Sequence, residues 1–315
     1  MIHAAPEPTR VEPAPMTPAI HSLDHFALAV PDLDAAEKFY STFGLRVENV
    51  AGGLRLNAAQ GAMTLLREAA GRSLEYVSFN IDASELEAFR QRLEAGGIEL
   101  LDPPHPVSGD GLWFRDSDGV LVEVMVRERR APGSKGVMDV HIAPEGVRRA
   151  QAEIGKKTVP RRLGHILRFS PDVLRAVDFY ERFLGMRLSD RSGDIIAFMH
   201  SPRGSDHHVV AFAKSSRPGF HHASFEVESV DAIGLGASNM VGHGYGDGWG
   251  VGRHEAGSNF FYYVRDPWGS FAEYFCDMDY IPAGCAWEPR NVASEHALAL
   301  WSPIVPGYFL ENHES

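Results

Sequence analysis

The chain carries a copy of itself. Residues 23–48 read LDHFALAVPDLDAAEKFYSTFGLRVE, and residues 163–188 read LGHILRFSPDVLRAVDFYERFLGMRL. His25 and His165, Pro31 and Pro171, Asp32 and Asp172, and Tyr40 and Tyr180 are each 140 positions apart. A second echo pairs YVSFNID (76–82) with HASFEVE (222–228) at 146 positions. A third pairs FRDSDGVLVEVMV (114–126) with VRDPWGSFAEYFC (264–276) at 150. The drift implies loop insertions in the second copy. A chain of this kind folds by duplicating one supersecondary unit.

Local patterns say what the unit is. HFALAV and HILRFS alternate and stop at Pro-Asp, which predicts strands. Residues 32–43 and 172–184 have apolar spacing near 3.6 and predict helices. Arg-Asp-x-x-Gly between apolar runs predicts a hairpin turn, with Gly119 and Gly269 at positive φ. Each quarter then reads as βαβββ. The expected fold is α+β: four such modules forming two domains, each a curled mixed sheet around a central cavity with helices outside. The expected boundaries are a flexible, Pro-rich arm at 1–20, an N-terminal domain at 21–133, a linker at 134–160, a C-terminal domain at 161–280 and an irregular tail at 281–315. The Gly-rich stretch 242–253, GHGYGDGWGVGR, is expected to be a long hairpin loop, with a mobile lid as the alternative.

Composition excludes several classes. A 44% hydrophobic chain of 315 residues can bury a core, so disorder is excluded. The net charge is -12 and no Lys/Arg run exceeds two residues, which speaks against nucleic acid as a partner. No apolar run is long enough for a membrane span, and the first 20 residues lack the apolar stretch of a signal peptide. Two cysteines, Cys276 and Cys285, make neither a disulfide framework nor a four-Cys zinc site. They read as reduced thiols of a cytoplasmic protein.

The two copies differ at one of three matched positions. The second holds His165, His222 and Glu273, where the first holds His25, Tyr76 and Glu123. Tyr76 leaves the first set incomplete. Each of the second three sits at the equivalent place in a strand-type motif, so a curled sheet can bring them to its concave face. Two imidazoles and one carboxylate suit Fe(II) and leave three positions for substrate and oxygen; Mn(II) prefers similar ligands.

Around these residues the second half resembles the type I extradiol ring-cleaving dioxygenases of the vicinal oxygen chelate superfamily. The resemblance covers about residues 20–280. It is most specific in Gly164-His165, in Asp206-His207-His208-Val209, in His221-His222-Ala-Ser-Phe, and in Gly252-Arg253-His254 running into Phe261-Tyr262-Tyr263-Val264-Arg265-Asp266-Pro267 and Glu273. It implies Fe(II) held by His165, His222 and Glu273, in a C-terminal half whose N-terminal counterpart is a degenerate copy. It further implies an acid/base His at His208 and two pocket residues, His254 and Tyr263, that bond the substrate or each other. The partners implied are a small aromatic diol and O2, and the family commonly forms homo-oligomers. Where some family members carry Asn and Asp after the pocket His, this chain has Glu255, Ala256 and Gly257.

His207 and His221 are read as structural or outward-facing, because adjacent strand residues point to opposite faces. Met199, His200, Trp249, Phe261 and the tail are candidate pocket walls. Two other functions compete. A glyoxalase-like isomerase or lyase would draw metal ligands from two modules, and a non-enzymatic ligand-binding module of the same fold would need no complete triad. Tyr76 argues against the first, and His208, His254 and Tyr263 against the second.

Overall fold

The structure is a computed structural model, and it describes residues 17–104, 109–138, 143–148, 155–296 and 298–314. Most of the arm and parts of the linker expected from the sequence therefore lie outside the described residues.

The first module is β1 (Ser22–Val30), α1 (Leu33–Phe43), β2 (Arg46–Val50), β3 (Gly53–Ala58) and β4 (Gly61–Glu68). The second is β5 (Ser73–Ile81), α2 (Leu86–Ala95), β6 (Leu112–Arg115) and β7 (Leu121–Val126). It has one named strand fewer than βαβββ, although Leu101 bridges to Trp113 where that strand would run. These strands form one sheet in the order β2-β3-β4-β1-β5-β7-β6.

The second half repeats the plan. Its third module is β8 (Arg162–Ser170), α3 (Val173–Leu184), β9 (Arg187–Ser192), β10 (Ile196–His200) and β12 (Val210–Lys214), with the two-residue β11 (Ser205–Asp206) inserted. Its fourth is β13 (Gly219–Glu226), α4 (Val230–Gly242), β14 (Gly248–Arg253), β15 (Phe260–Arg265) and β16 (Phe271–Cys276). With β18 (Arg290–Asn291) these form a sheet in the order β14-β15-β16-β13-β8-β12-β10-β9-β18, while β11 pairs with β17 (Tyr280–Ile281).

The repeat residues do equivalent local work. Asp32 and Asp172 cap α1 and α3, each accepting the backbone N–H three residues on. Gly44 and Gly185 end the helices in the left-handed region. Gly119 and Gly269 have φ of 81° and 95°, as the turns require. One continuous apolar core runs through both halves. The buried Arg168 of β8 reaches Asp116 of the first half at 2.6 Å, and Tyr274 donates to the carbonyl of Phe43 at 2.7 Å.

The Gly-rich stretch departs from the expectation. Residues 248–253 are strand β14, paired with β15, rather than a loop. A Cβ on Gly248 would lie 2.1 Å from the carbonyl oxygen of Tyr263, and one on Gly252 would lie 2.4 Å from the Phe261 ring. The glycines are there because the neighbouring strand approaches so closely.

Candidate active site

Register builds the site. Ser224 of β13 pairs with His165 of β8 on one side and with Glu273 of β16 on the other. Glu273 pairs in turn with Tyr263 of β15, and Tyr263 with Trp249 of β14. Five strands thus contribute one row of side chains. His222 stands two residues before Ser224, on the same face.

The metal-ligand candidates meet. The ligand atoms of His165, His222 and Glu273 all lie within 4.8 Å of one another. Nε2 of His165 is 3.2 Å from Oε2 of Glu273, and Nε2 of His222 is 3.4 Å from the same oxygen. None of these contacts has hydrogen-bond geometry: both oxygens of Glu273 are buried without a partner. A carboxylate left so costs on the order of several kcal/mol unless a cation balances it. The donor set and the orphaned carboxylate fit a divalent metal.

The matched row of the first half is closed on itself. Ser78 pairs with His25 and Glu123 as Ser224 pairs with His165 and Glu273. There, Ser78 donates to Glu123 at 2.5 Å, Tyr76 sits 3.1 Å from Nε2 of His25, and Asp24 sits 2.7 Å from Nδ1. Among the described residues, no second metal-type cluster forms.

Of the two readings of the partner histidines, the outward-facing one fails and the structural one agrees with their burial. His221 falls on a bulge, where β13 carries one more residue than β8 between Phe220 and His222. Both members of that pair are buried, with Nδ1 of His221 2.6 Å from Nδ1 of His222 and Nε2 of His221 2.6 Å from the carbonyl of Phe309. A carbonyl only accepts, so His221 carries its hydrogen on Nε2. Burial lowers both pKa values, His221 to about 4, so both rings are neutral. The remaining hydrogen then lies on Nδ1 of His222, and its Nε2 is bare toward Glu273 and His165. His207 follows β11 in a turn, where strand alternation does not operate, and its Nδ1 is 3.1 Å from Nδ1 of His208.

His208 lines the cavity, its ring 4.1 Å from that of His165. Burial, then the surrounding imidazoles, hold its pKa well below the usual histidine value, so it is neutral. Tyr263 meets Nε2 of His254 at 3.0 Å, and burial with the Glu273 charge keeps its phenol protonated. Nδ1 of His254 donates to the carbonyl of Leu298. All six residues singled out in the sequence therefore converge on one site.

Five of them, all but Glu273, line one cavity. Its other walls are Leu167, Ile196, Phe198, Ala213, Trp249, Ala256, Leu298, Phe309 and Leu310, besides His221. Trp249 was anticipated; Met199, His200 and Phe261 are not part of this lining. The tail residues carried no individual signal in the sequence, because Leu and Phe in an irregular segment have no periodicity to read.

The description "Glyoxalase/Bleomycin resistance protein/Dioxygenase superfamily" matches residues 22–124 and 162–274. Metapyrocatechase 2 of Cupriavidus necator is 47% identical, over 94% of this chain and 93% of its own length. Biphenyl-2,3-diol 1,2-dioxygenase of Pseudomonas sp. (strain KKS102) is 24% identical over 89% of this chain and 94% of its own. Among solved structures, homoprotocatechuate 2,3-dioxygenase from Brevibacterium fuscum superposes with TM-score 0.75 at 21% identity, covering 96% of this chain and 95% of its own. The Mn(II)-bound glyoxalase from Novosphingobium aromaticivorans superposes with TM-score 0.76 at 24% identity, covering 95% and 96%. The chain therefore belongs to the Glyoxalase/Bleomycin resistance protein/Dioxygenase superfamily and, within it, to the family of metapyrocatechase 2.

Proposed function

We propose that this protein is an extradiol dioxygenase that opens the ring of a catechol with O2, at a metal held by His165, His222 and Glu273. The observation that carries the reading is the orphaned, buried carboxylate of Glu273 between two imidazoles, beside a neutral His208. The metapyrocatechase 2 relationship supports the same activity. A bound Fe(II), for which Mn(II) is the nearest substitute in ligand preference, supplies the redox chemistry that lets triplet oxygen react with a singlet ring.

The chain's own residues do the rest. His208, neutral and beside the ligand set, accepts a diol proton and returns one as the ring opens. Tyr263, braced by His254, presents its hydroxyl to a substrate oxygen. The apolar walls exclude water and accept the ring. Among the described residues no Lys or Arg lines the cavity, so a ring with hydrogen or small apolar substituents fits, whereas one with a carboxylate side chain would bury an unpaired charge.

A cross-module metal site is disfavoured because His25, Tyr76, Glu123 and their neighbours satisfy one another. Oxygen uptake with a panel of catechols, followed by absorbance of the yellow ring-opened product, tests the proposal. Catechol and alkylcatechols should be consumed and carboxylated ones poorly. Absence of uptake with every catechol in metal-loaded enzyme would refute the reading.

A further inference from the structure

Behind His208 lie a second histidine and, behind that, a carboxylate. His207 is fully buried, and its Nε2 is 3.1 Å from Oδ2 of Asp190. Asp190, also shielded from solvent, is held at both oxygens. Its Oδ1 accepts the backbone N–H of Arg290 at 2.7 Å, and its Oδ2 faces Nη2 of Arg290 at 3.2 Å. Trp287 packs edge-on against the His207 ring.

We propose that Asp190 and His207 are positioning residues that set the tautomer of His208 for proton transfer from the substrate, an inference that rests on the activity proposed above. With one hydrogen on each ring, the donors and acceptors leave one arrangement. A carboxylate only accepts, so His207 carries its hydrogen on Nε2. Its Nδ1 is then a bare acceptor, and the hydrogen between the two Nδ1 atoms belongs to His208. Nε2 of His208 is bare and makes no hydrogen bond to any described residue, while its ring lines the cavity. The diol O–H bond breaks with its electron pair left on oxygen, and the proton goes to that nitrogen. No oxidant enters this step.

The same bonds say how to invert the tautomer. In Asp190→Asn, the Arg290 backbone N–H pins the amide oxygen at the place of Oδ1. The amide NH2 then takes the place of Oδ2 and donates to Nε2 of His207. His207 is driven to carry its hydrogen on Nδ1, and His208 to carry its own on Nε2, where it blocks the lone pair. The exposed Arg290 side chain can turn into solvent. Substitutions at 207 separate the two contacts. Asn sets an amide oxygen near the place of Nδ1, facing His208, whereas Gln reaches Asp190 and offers nothing to His208.

Metal-loaded wild type, D190N, H207N, H207Q and H208F are compared at matched metal content. Two quantities are read: kcat and KM for catechol, and ionisation of catechol bound in the absence of oxygen, from its ultraviolet difference spectrum. D190N and H207Q should lose kcat by roughly tenfold or more, with KM changed by no more than about twofold, and should bind less ionised catechol. H207N should stay within about threefold of wild type, since it keeps the acceptor. A packing role would favour Gln, which is nearer to His in size. Wild-type kcat and full ionisation in D190N overturn the proposal. Should D190N not fold, equal kcat in H207N and H207Q overturns it. Wild type inactive on every catechol overturns the activity instead, and H208F with wild-type turnover overturns the acceptor role of His208.

Discussion

His208 and Tyr263 flank the proposed ligand set, and the proposal gives them different amounts of work. Replacing His208 with Phe removes the proton acceptor and leaves His165, His222 and Glu273 in place. Metal content should persist while turnover falls by roughly 10²–10⁴-fold, the range for a positioned acid/base. Tyr263→Phe removes one hydroxyl that His254 braces, so its loss should be about tenfold or less. Elemental analysis beside oxygen uptake separates the two effects, and a metal-free H208F protein would contradict the placement of His208 outside the ligand set. The roles proposed for these residues come from the family resemblance, whereas His165, His222 and Glu273 stand out from comparing the two halves. For the partner histidines only the outward-facing alternative failed, because it assumed alternation. His207 sits in a turn and His221 on a bulge, and neither irregularity leaves a mark in the letters.

At the scale of elements, the strands and helices that begin the first and third modules were legible from apolar period and from the Pro-Asp stop. Strand β14 was not, because Gly contributes no side chain to an alternating pattern and disfavours strand on average. Its reason lies across the ladder, where Tyr263 and Phe261 leave no room for a Cβ at 248 and 252. Gly248→Ala should therefore destabilise the fold by about 1–3 kcal/mol, the usual cost of overpacking. It should also lower activity, since Trp249 and Tyr263 pair across that register. Gly246→Ala, where nothing lies within 4 Å, should be mild on both counts. Thermal melts of the two variants check this, and equal melting shifts would show that β14 tolerates side chains there.

The whole molecule is an asymmetric duplication: one half closes its polar row with hydrogen bonds, and the other leaves a carboxylate to be balanced by a cation. The tail completes the open half, its Phe309 and Leu298 carbonyls fixing His221 and His254 while Glu314 bonds Arg72 and the backbone N–H of Phe220. Burial also couples the fold to pH. His200 and His221 have folded pKa values of about 4, and His208 and His222 are lowered too. The unfolded chain takes up these protons near 6.5, so between there and 4 it binds more of them than the folded chain. Stability from these groups is complete above pH 6.5 and is lost as pH falls, by about 1.4 kcal/mol per pH unit for each. A metal adds to the same trend, because its imidazole ligands must be unprotonated. The melting temperature should drop steadily from pH 6.5 to pH 4.5; a flat profile would contradict the neutral, buried state of these rings.

Because the two halves offer equivalent carboxylates in equivalent rows, the most direct test compares them. Metal per chain is measured by elemental analysis in wild type, Glu273→Gln and Glu123→Gln, with catechol-dependent oxygen uptake on the same samples. About one metal per chain and full uptake are expected in wild type and in Glu123→Gln, with both lost in Glu273→Gln while the protein stays folded. Metal and uptake retained in Glu273→Gln, or lost in a folded Glu123→Gln, would contradict a single site in the second half.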